Sequence, residues 1–242
     1  MTTTGENPNE RGSSSGDPSS NRQRPRILVD GGEVFTDLDT RADQMLSQGR
    51  HMSTWIPNAY IKYPCTPEGL EAAERSVAEG IRVNITLCFS QEQAAAVYAA
   101  TRGSRSSVYV SPFVGRLDDI GQNGMDLLEN IQRMYASGDG HVLVLAASIR
   151  NLQQLLRCFQ LGVDLVTVPA NVLMEWVAVG SPQPDESFAY KPTGVPIEYR
   201  QLHLNQPWQR FDIGHELTTK GIRKFVEDYR STLREGTSPA AA

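Results

Sequence analysis

Several common signatures are missing from this sequence, and each absence removes a class of function. No G-x-G-x-x-G or G-x-x-x-x-G-K follows any apolar run, so a nucleotide-binding doubly wound sheet loses its best support. Cysteine is scarce: Cys65, Cys88 and Cys158 include no C-x-x-C pair and no neighbouring histidine at ligand spacing. Their odd number and apolar settings suit free thiols in a reducing compartment, not a disulfide framework or a zinc site. His51, His141, His203 and His215 show no metal-ligand spacing either, and no metal or other cofactor is expected. Positive charge is not in excess. The 23 Lys and Arg against 28 Asp and Glu leave a net charge of -5, whereas a generic nucleic-acid or anionic-membrane binder needs clustered cations. There is no run of about 18 apolar residues and no apolar signal core near Met1. The expectation is a cytoplasmic protein with neither nucleic acid nor membrane as partner.

What is present is an ordinary globular composition, 39% hydrophobic and 21% charged over 242 residues, enough for one large domain such as a βα barrel. Residues 1 to 26 hold Ser, Thr, Asn, Gly, Pro and charged residues with no large apolar side chain after Met1. Such a segment cannot offset its ordering entropy and is expected to be a disordered polar tail. The folded domain then takes in residues 27 to 242 and ends in a helix near 217 to 233.

Within that domain short apolar runs alternate with helical patterns. Strands are expected near 34, 60, 85, 109, 144 and 166, the first of them over Val34 to Leu38 with a carboxylate inside it. A weak helix is expected over about 41 to 50. Thr66 with Pro67 caps the helix that follows Pro64, and Ser90-Gln91-Glu92-Gln93 reads as a capping box. Pro112 to Asp119 reads as a loop, and further helices are expected over about 124 to 134 and 151 to 160. Strand, helix, strand alternation with long crossovers argues an α/β parallel sheet. In a closed barrel, functional side chains gather at the C-terminal strand ends. Here those ends carry Asp37, Lys62, Asn84, Thr86, Ser111, Arg116, Ser148 and Arg150. One lysine, two arginines, an acid and several hydroxyls on one rim describe a pocket for a phosphorylated, hydroxyl-rich carbonyl compound.

Five segments carry a family resemblance: V-F-T-D-L-D-T-R (34 to 41), I-K-Y-P-C-T-P-E-G-L-E-A-A (61 to 73), E-G-I-R-V-N-I-T-L-C-F-S (79 to 90), S-P-F-V-G-R-L-D-D (111 to 119) and A-A-S-I-R-N (146 to 151). V-P-A-N-V-L (168 to 173) and G-I-R-K-F (221 to 225) fit more weakly. In this order they resemble the transaldolases, in the class I Schiff-base aldolase superfamily that also holds the fructose-6-phosphate aldolases. The resemblance implies a TIM (β/α)8 barrel and transfer of a dihydroxyacetone unit between sugar phosphates, in the pentose phosphate part of carbohydrate metabolism. It makes Lys62 the Schiff-base lysine, and Asn84 and Thr86 the pair that hold substrate and order the catalytic water. Asp37 takes the place of a proton-transferring glutamate. Ser111, Arg116, Ser148 and Arg150 become phosphate contacts, and Phe113 stands where the aldolase branch has tyrosine.

The chemistry needs those types. A desolvated amine becomes a nucleophile towards a ketose carbonyl, and the iminium it forms is an electron sink when the carbon-carbon bond breaks. A carboxylate and a hydroxyl move the protons, and arginines read phosphate bidentately. Bland alternatives stand beside these roles. Asp37 or Asp39 could serve Arg41, Arg116 could pair with Asp118 or Asp119, and Arg150 could be a helix-start residue. The family's first strand, ending in an aspartate, and its second, ending in a T-T-N-P-type turn, are not recognisable. About six of eight units are visible, the competing alignment making Asp30 that aspartate. An aldolase or other carbon-carbon lyase is the neighbouring reading. A third is a non-catalytic homologue whose open barrel edge is covered by a partner or a second copy.

Overall fold

The computed structural model describes residues 26–27 and 32–235. Residues 1 to 25 of the expected polar tail, residues 28 to 31 and the last seven lie outside them, while Arg26, the tail's expected last residue, begins a strand. Six parallel strands form one sheet: β1 (Arg26–Ile27), β2 (Ile61–Pro64), β3 (Val83–Cys88), β4 (Val108–Pro112), β5 (Val142–Ala146) and β6 (Leu165–Val166), in the order β1-β6-β5-β4-β3-β2. Helices α1 (Ala42–Met52), α2 (Pro67–Ala78), α3 (Gln91–Ala100), α4 (Val114–Asp118), α5 (Gly124–Tyr135), α6 (Leu152–Leu161), α7 (Ala170–Ala178) and α8 (Glu216–Glu235) fill the intervals. Consecutive parallel strands with a helix in each crossover make part of a (β/α)8 barrel.

Local chemistry starts the helices where the sequence signals them. Thr66 Oγ1 accepts from Gly69 N–H, with Pro67 at the first turn. Ser90 Oγ and Asn151 Oδ1 likewise accept from Gln93 and Gln154 N–H. Gly162 closes α6 at φ 64°.

The strands read as near-continuous apolar runs because both faces are covered. Outward-facing Ile61, Tyr63, Val83, Ile85, Val110 and Val144 join the main core against the helices. Inward-facing Tyr109, Leu145, Ala147 and Leu165 form a separate cluster inside the curve of the sheet. Tyr60 stacks on Tyr109 at 4.3 Å, filling the N-terminal end of that interior. The C-terminal end is left to polar residues.

Two expectations need correction. No regular strand forms over Val34–Leu38. Only Glu33 bridges to β2, through Lys62 N–H to Gly32 O and Val34 N–H to Lys62 O. The next ladder bond would run from the N–H of residue 64 to Val34 O, and Pro64 has no N–H. Phe35 N–H and O, which point away from β2 in this register, are taken by the Gln48 amide of α1 at 2.9 Å and 3.1 Å. The other correction is the Pro112–Asp119 loop, whose Val114–Asp118 portion is the short helix α4.

Candidate active site

Strand register brings the site together. Side chains two apart share a face, so Lys62 and Pro64 on β2 lie beside Asn84 and Thr86 on β3, with which they are in direct register. Asn84 pairs in turn with Tyr109, which places Ser111 one step higher on β4. Ser111 Oγ donates to Asn84 Oδ1 at 2.7 Å, fixing the amide with its oxygen towards Ser111. Lys62 is 9% exposed, and Thr86 is fully buried with a hydroxyl that finds no hydrogen-bond partner among the described residues. Such a hydroxyl is uncommon in a native interior.

Lys62, Thr86, Ser111, Phe113 and Ser148 line a cavity of about 80 Å³ with Leu145, Ala147 and Thr167. That is about the volume of three liquid water molecules, suited to a small fragment of substrate. Ser148 adopts φ 62°, and its carbonyl accepts from Gly115 N–H at 3.1 Å. A side chain at position 115 would strike that carbonyl and the Arg150 stem.

Arg116 sits beside this cavity, half-buried, its guanidinium 5.2 Å from the Phe113 ring and 5.5 Å from the Phe225 ring of α8. Burial, and then the neighbouring Arg150, hold its pKa below the ordinary arginine value. Asp118 is taken up by Gly124 N–H and Gln154, and Asp119 by Arg150 at 2.6 Å. The loop pairing open to Arg116 in the sequence is therefore not what forms, whereas Arg150 is exposed and ion-paired at the helix start.

Asp37 is not brought to Lys62. Its carboxylate accepts from Thr40 Oγ1 at 2.6 Å and Asp39 N–H at 3.1 Å, closing the turn before α1. Those bonds, the Thr40 hydroxyl first, hold its pKa below the usual carboxylate value. It faces a surface groove with Arg230 on α8. Among the described residues, the carboxylate at the site is Glu33, whose Oε2 lies 3.9 Å from Lys62 Nζ. Sequence reasoning missed it. Glu33 and Asp37 share strand parity, and the end of the ladder at Val34 leaves the first of them beside the lysine.

The last helix completes the rim. Leu87, at the end of β3, takes φ 58°, a conformation a leucine holds only when its surroundings impose it. Thr218 Oγ1 donates to the Leu87 carbonyl at 2.9 Å and accepts from Gln93 Nε2 at 2.9 Å. A Cβ at Gly221 would lie 2.6 Å from Leu87 Cδ2 and 2.8 Å from Arg116 Nη1, so a larger residue there would displace the ends of those two side chains. Among the described residues no helix is long and apolar enough to cross a membrane, and no cluster of His, Cys, Asp or Glu could hold a metal.

The family model for transaldolase/fructose-6-phosphate aldolase matches residues 31–236. A probable transaldolase of Dehalococcoides mccartyi is 43% identical over 208 residues, 86% of this chain and 77% of that protein. One of Myxococcus xanthus is 33% identical over 215 residues, 88% of this chain and 78% of the relative. One of Roseiflexus castenholzii is 44% identical over 148 residues, 60% of this chain and 65% of the relative. The chain thus spans about two thirds to three quarters of the length of these relatives. With the match running through nearly all the described residues, the chain belongs to the transaldolase/fructose-6-phosphate aldolase family.

Proposed function

We propose that this protein is a transaldolase-type enzyme that moves a dihydroxyacetone unit between sugar phosphates through a Schiff base on Lys62. The observation that supports it most is the setting of one amine. Lys62 Nζ is nearly buried, shares a small cavity with the partnerless Thr86 hydroxyl, and has the Glu33 carboxylate at 3.9 Å.

In this reading the Lys62 amine adds to the ketose carbonyl, and loss of water gives the iminium. Glu33, with Thr86 acting through a water, takes the proton from the hydroxyl next to the breaking bond. The electron pair of that bond moves into the iminium, the aldehyde leaves, and an enamine stays on Lys62. Asn84 donates through its NH2 end to a sugar hydroxyl. Arg116 receives the phosphate with Ser111, Ser148 and Arg150 near it, and an anion there relieves the repulsion between the two guanidiniums. Phe113 places a ring without a hydroxyl at the cavity wall, which favours passing the enamine to an acceptor over protonating it. The pathway context is pentose phosphate metabolism in the cytoplasm. The exposed Met174 and Val177 of α7, on the helix that follows β6, support cover of this side by another chain or a second copy.

The deciding experiment is borohydride reduction in the presence of fructose 6-phosphate, followed by peptide mapping. An adduct on Lys62 is expected. Folded protein with ample substrate and no adduct would sink the enzymatic reading.

A further inference from the structure

Gln93 does not line the cavity at Lys62, yet it is completely buried, an uncommon place for an amide. It stands in the first turn of α3, just after the strand that carries Asn84 and Thr86, with its N–H capped by Ser90 Oγ at 3.1 Å. The side chain serves three other parts of the chain. Its Oε1 accepts from Phe89 N–H at 2.7 Å, which fixes the turn from β3 into α3. Its Nε2 donates to Ile213 O at 3.0 Å and to Thr218 Oγ1 at 2.9 Å, with Cys65 O at 3.4 Å. Phe89 N–H needs an acceptor and Ile213 O needs a donor, so the amide has one orientation here. A carboxylate could not donate, and an apolar side chain would leave buried main-chain groups unpaired.

What Gln93 holds is the start of α8. Ile213 leads into that helix, and Thr218 lies in its first turn and passes the contact on by donating to Leu87 O at 2.9 Å. Gly221 and Phe225 follow Thr218 by three and seven residues, on the same helical face. Both reach Arg116. A Cβ at Gly221 would lie 2.8 Å from Arg116 Nη1, and the Phe225 ring lies 5.5 Å from the guanidinium. One buried amide therefore fixes the helix face on which the half-buried arginine rests. Lys62 depends on it far less. Its strand is held by the ladder with β3 and by Cys65 N–H to Thr86 O at 2.8 Å, and the bond from Gln93 to Cys65 O is the longest that the amide makes.

We propose that Gln93 is a positioning residue for phosphate recognition: through Ile213 and Thr218 it sets the face of α8 that holds the Arg116 guanidinium towards a sugar phosphate. The proposal rests on the reading of Lys62 as the Schiff-base amine and Arg116 as the phosphate contact. An amide that served the fold alone would weaken every function of the pocket together. A positioning amide separates them, since the guanidinium shifts and the amine does not.

The test uses the full chain, with urea denaturation to show that each variant is folded. Two quantities are measured, the KM for fructose 6-phosphate in label exchange and the dihydroxyacetone concentration that gives half-maximal borohydride trapping on Lys62. Dihydroxyacetone carries no phosphate. Gln93→Met keeps the length and removes the hydrogen bonds. It is expected to raise the KM about tenfold, the scale of losing one charge-assisted hydrogen bond, with dihydroxyacetone trapping unchanged. Thr218→Val, which keeps the side-chain shape, tests the same link without touching Gln93 and should raise the KM in the same way. Thr218→Ser restores the hydroxyl and should bring the KM back towards that of the unaltered protein. An unchanged KM in folded Thr218→Val overturns the proposal, whatever Gln93→Met does to the fold. A rise in KM matched by an equal weakening of dihydroxyacetone trapping also overturns it, since the amide then supports the pocket as a whole. Equal KM values for Thr218→Ser and Thr218→Val would remove the hydroxyl from the link and sink it too. Absence of any Lys62 adduct in the folded, unaltered protein removes the Schiff-base reading and this inference with it.

Discussion

The Glu33 carboxylate lies 3.9 Å from Lys62 Nζ, and the same two residues are joined by a parallel backbone bridge. Main-chain pairing thus sets the distance between acid and amine.

Glu33→Gln is expected to lower kcat by about 10²–10⁴, the usual share of a general acid or base. Asp37→Asn is expected to keep full activity, because its carboxylate closes the turn before α1. Steady-state assays of both variants check the assignment. Loss of activity in Asp37→Asn with Glu33→Gln intact would reverse it.

Lys62→Met should reduce exchange of label between ketose and aldose phosphates by at least about 10³-fold, the scale seen when a nucleophile is removed. Methionine fills a nearly buried site of similar length, so the urea midpoint should hold or rise. Wild-type exchange in this variant would place the Schiff base on another residue.

Thr86→Val tests a hydroxyl that is buried and partnerless among the described residues. Removing an unsatisfied hydroxyl with little change of shape should raise stability by roughly 1 kcal/mol. Activity should nevertheless fall about 10²-fold if the hydroxyl positions the catalytic water. A destabilised variant would show that the hydroxyl serves the fold.

Gly221→Val pushes the Arg116 guanidinium and the Leu87 methyls aside, since a Cβ there already lies 2.8 Å from Arg116 Nη1. Overpacking of this kind costs about 1–3 kcal/mol. The KM for phosphorylated substrates should rise more than kcat falls, because the guanidinium is displaced and the amine is not. Unchanged KM with lowered stability would separate Arg116 from phosphate binding.

Stability should decline on the acid side through His215. Burial holds its pKa below the ordinary 6.5, on a ring stacked 5.3 Å from Phe89. Between the lowered folded value and 6.5 the unfolded chain binds more protons. Stability is therefore full above that window and is lost as pH falls through it. His215→Phe keeps the stack and should flatten this part of the denaturation midpoint against pH. An unchanged slope would assign the decline to other groups.

Much of the site was legible because strand parity and strand order are local properties. Lys62, Asn84, Thr86 and Ser111 each sit on the inward face of a short apolar run, and the sheet places them side by side. What could not be read was decided by contacts distant in sequence. Gln48 captures Phe35 across 13 residues where a strand was expected, and among the described residues the carboxylate beside Lys62 is Glu33, not Asp37. The αL turn of Leu87, and the clamp that Thr218 and Gly221 make on it, link β3 to a helix about 130 residues later. No window on the chain contains both partners. The exposed apolar face of α7 was equally invisible, since its spacing is that of any packed helix.

The clamp on Leu87 also orders events during synthesis. Domains fold as the chain emerges, N-terminal parts first, so the strands bearing Lys62, Asn84 and Thr86 can pair while α8 is still inside the ribosome. Phe225, one of the two rings against Arg116, arrives only with that helix. The nascent protein therefore holds the Lys62 amine before both rings against Arg116 are in place.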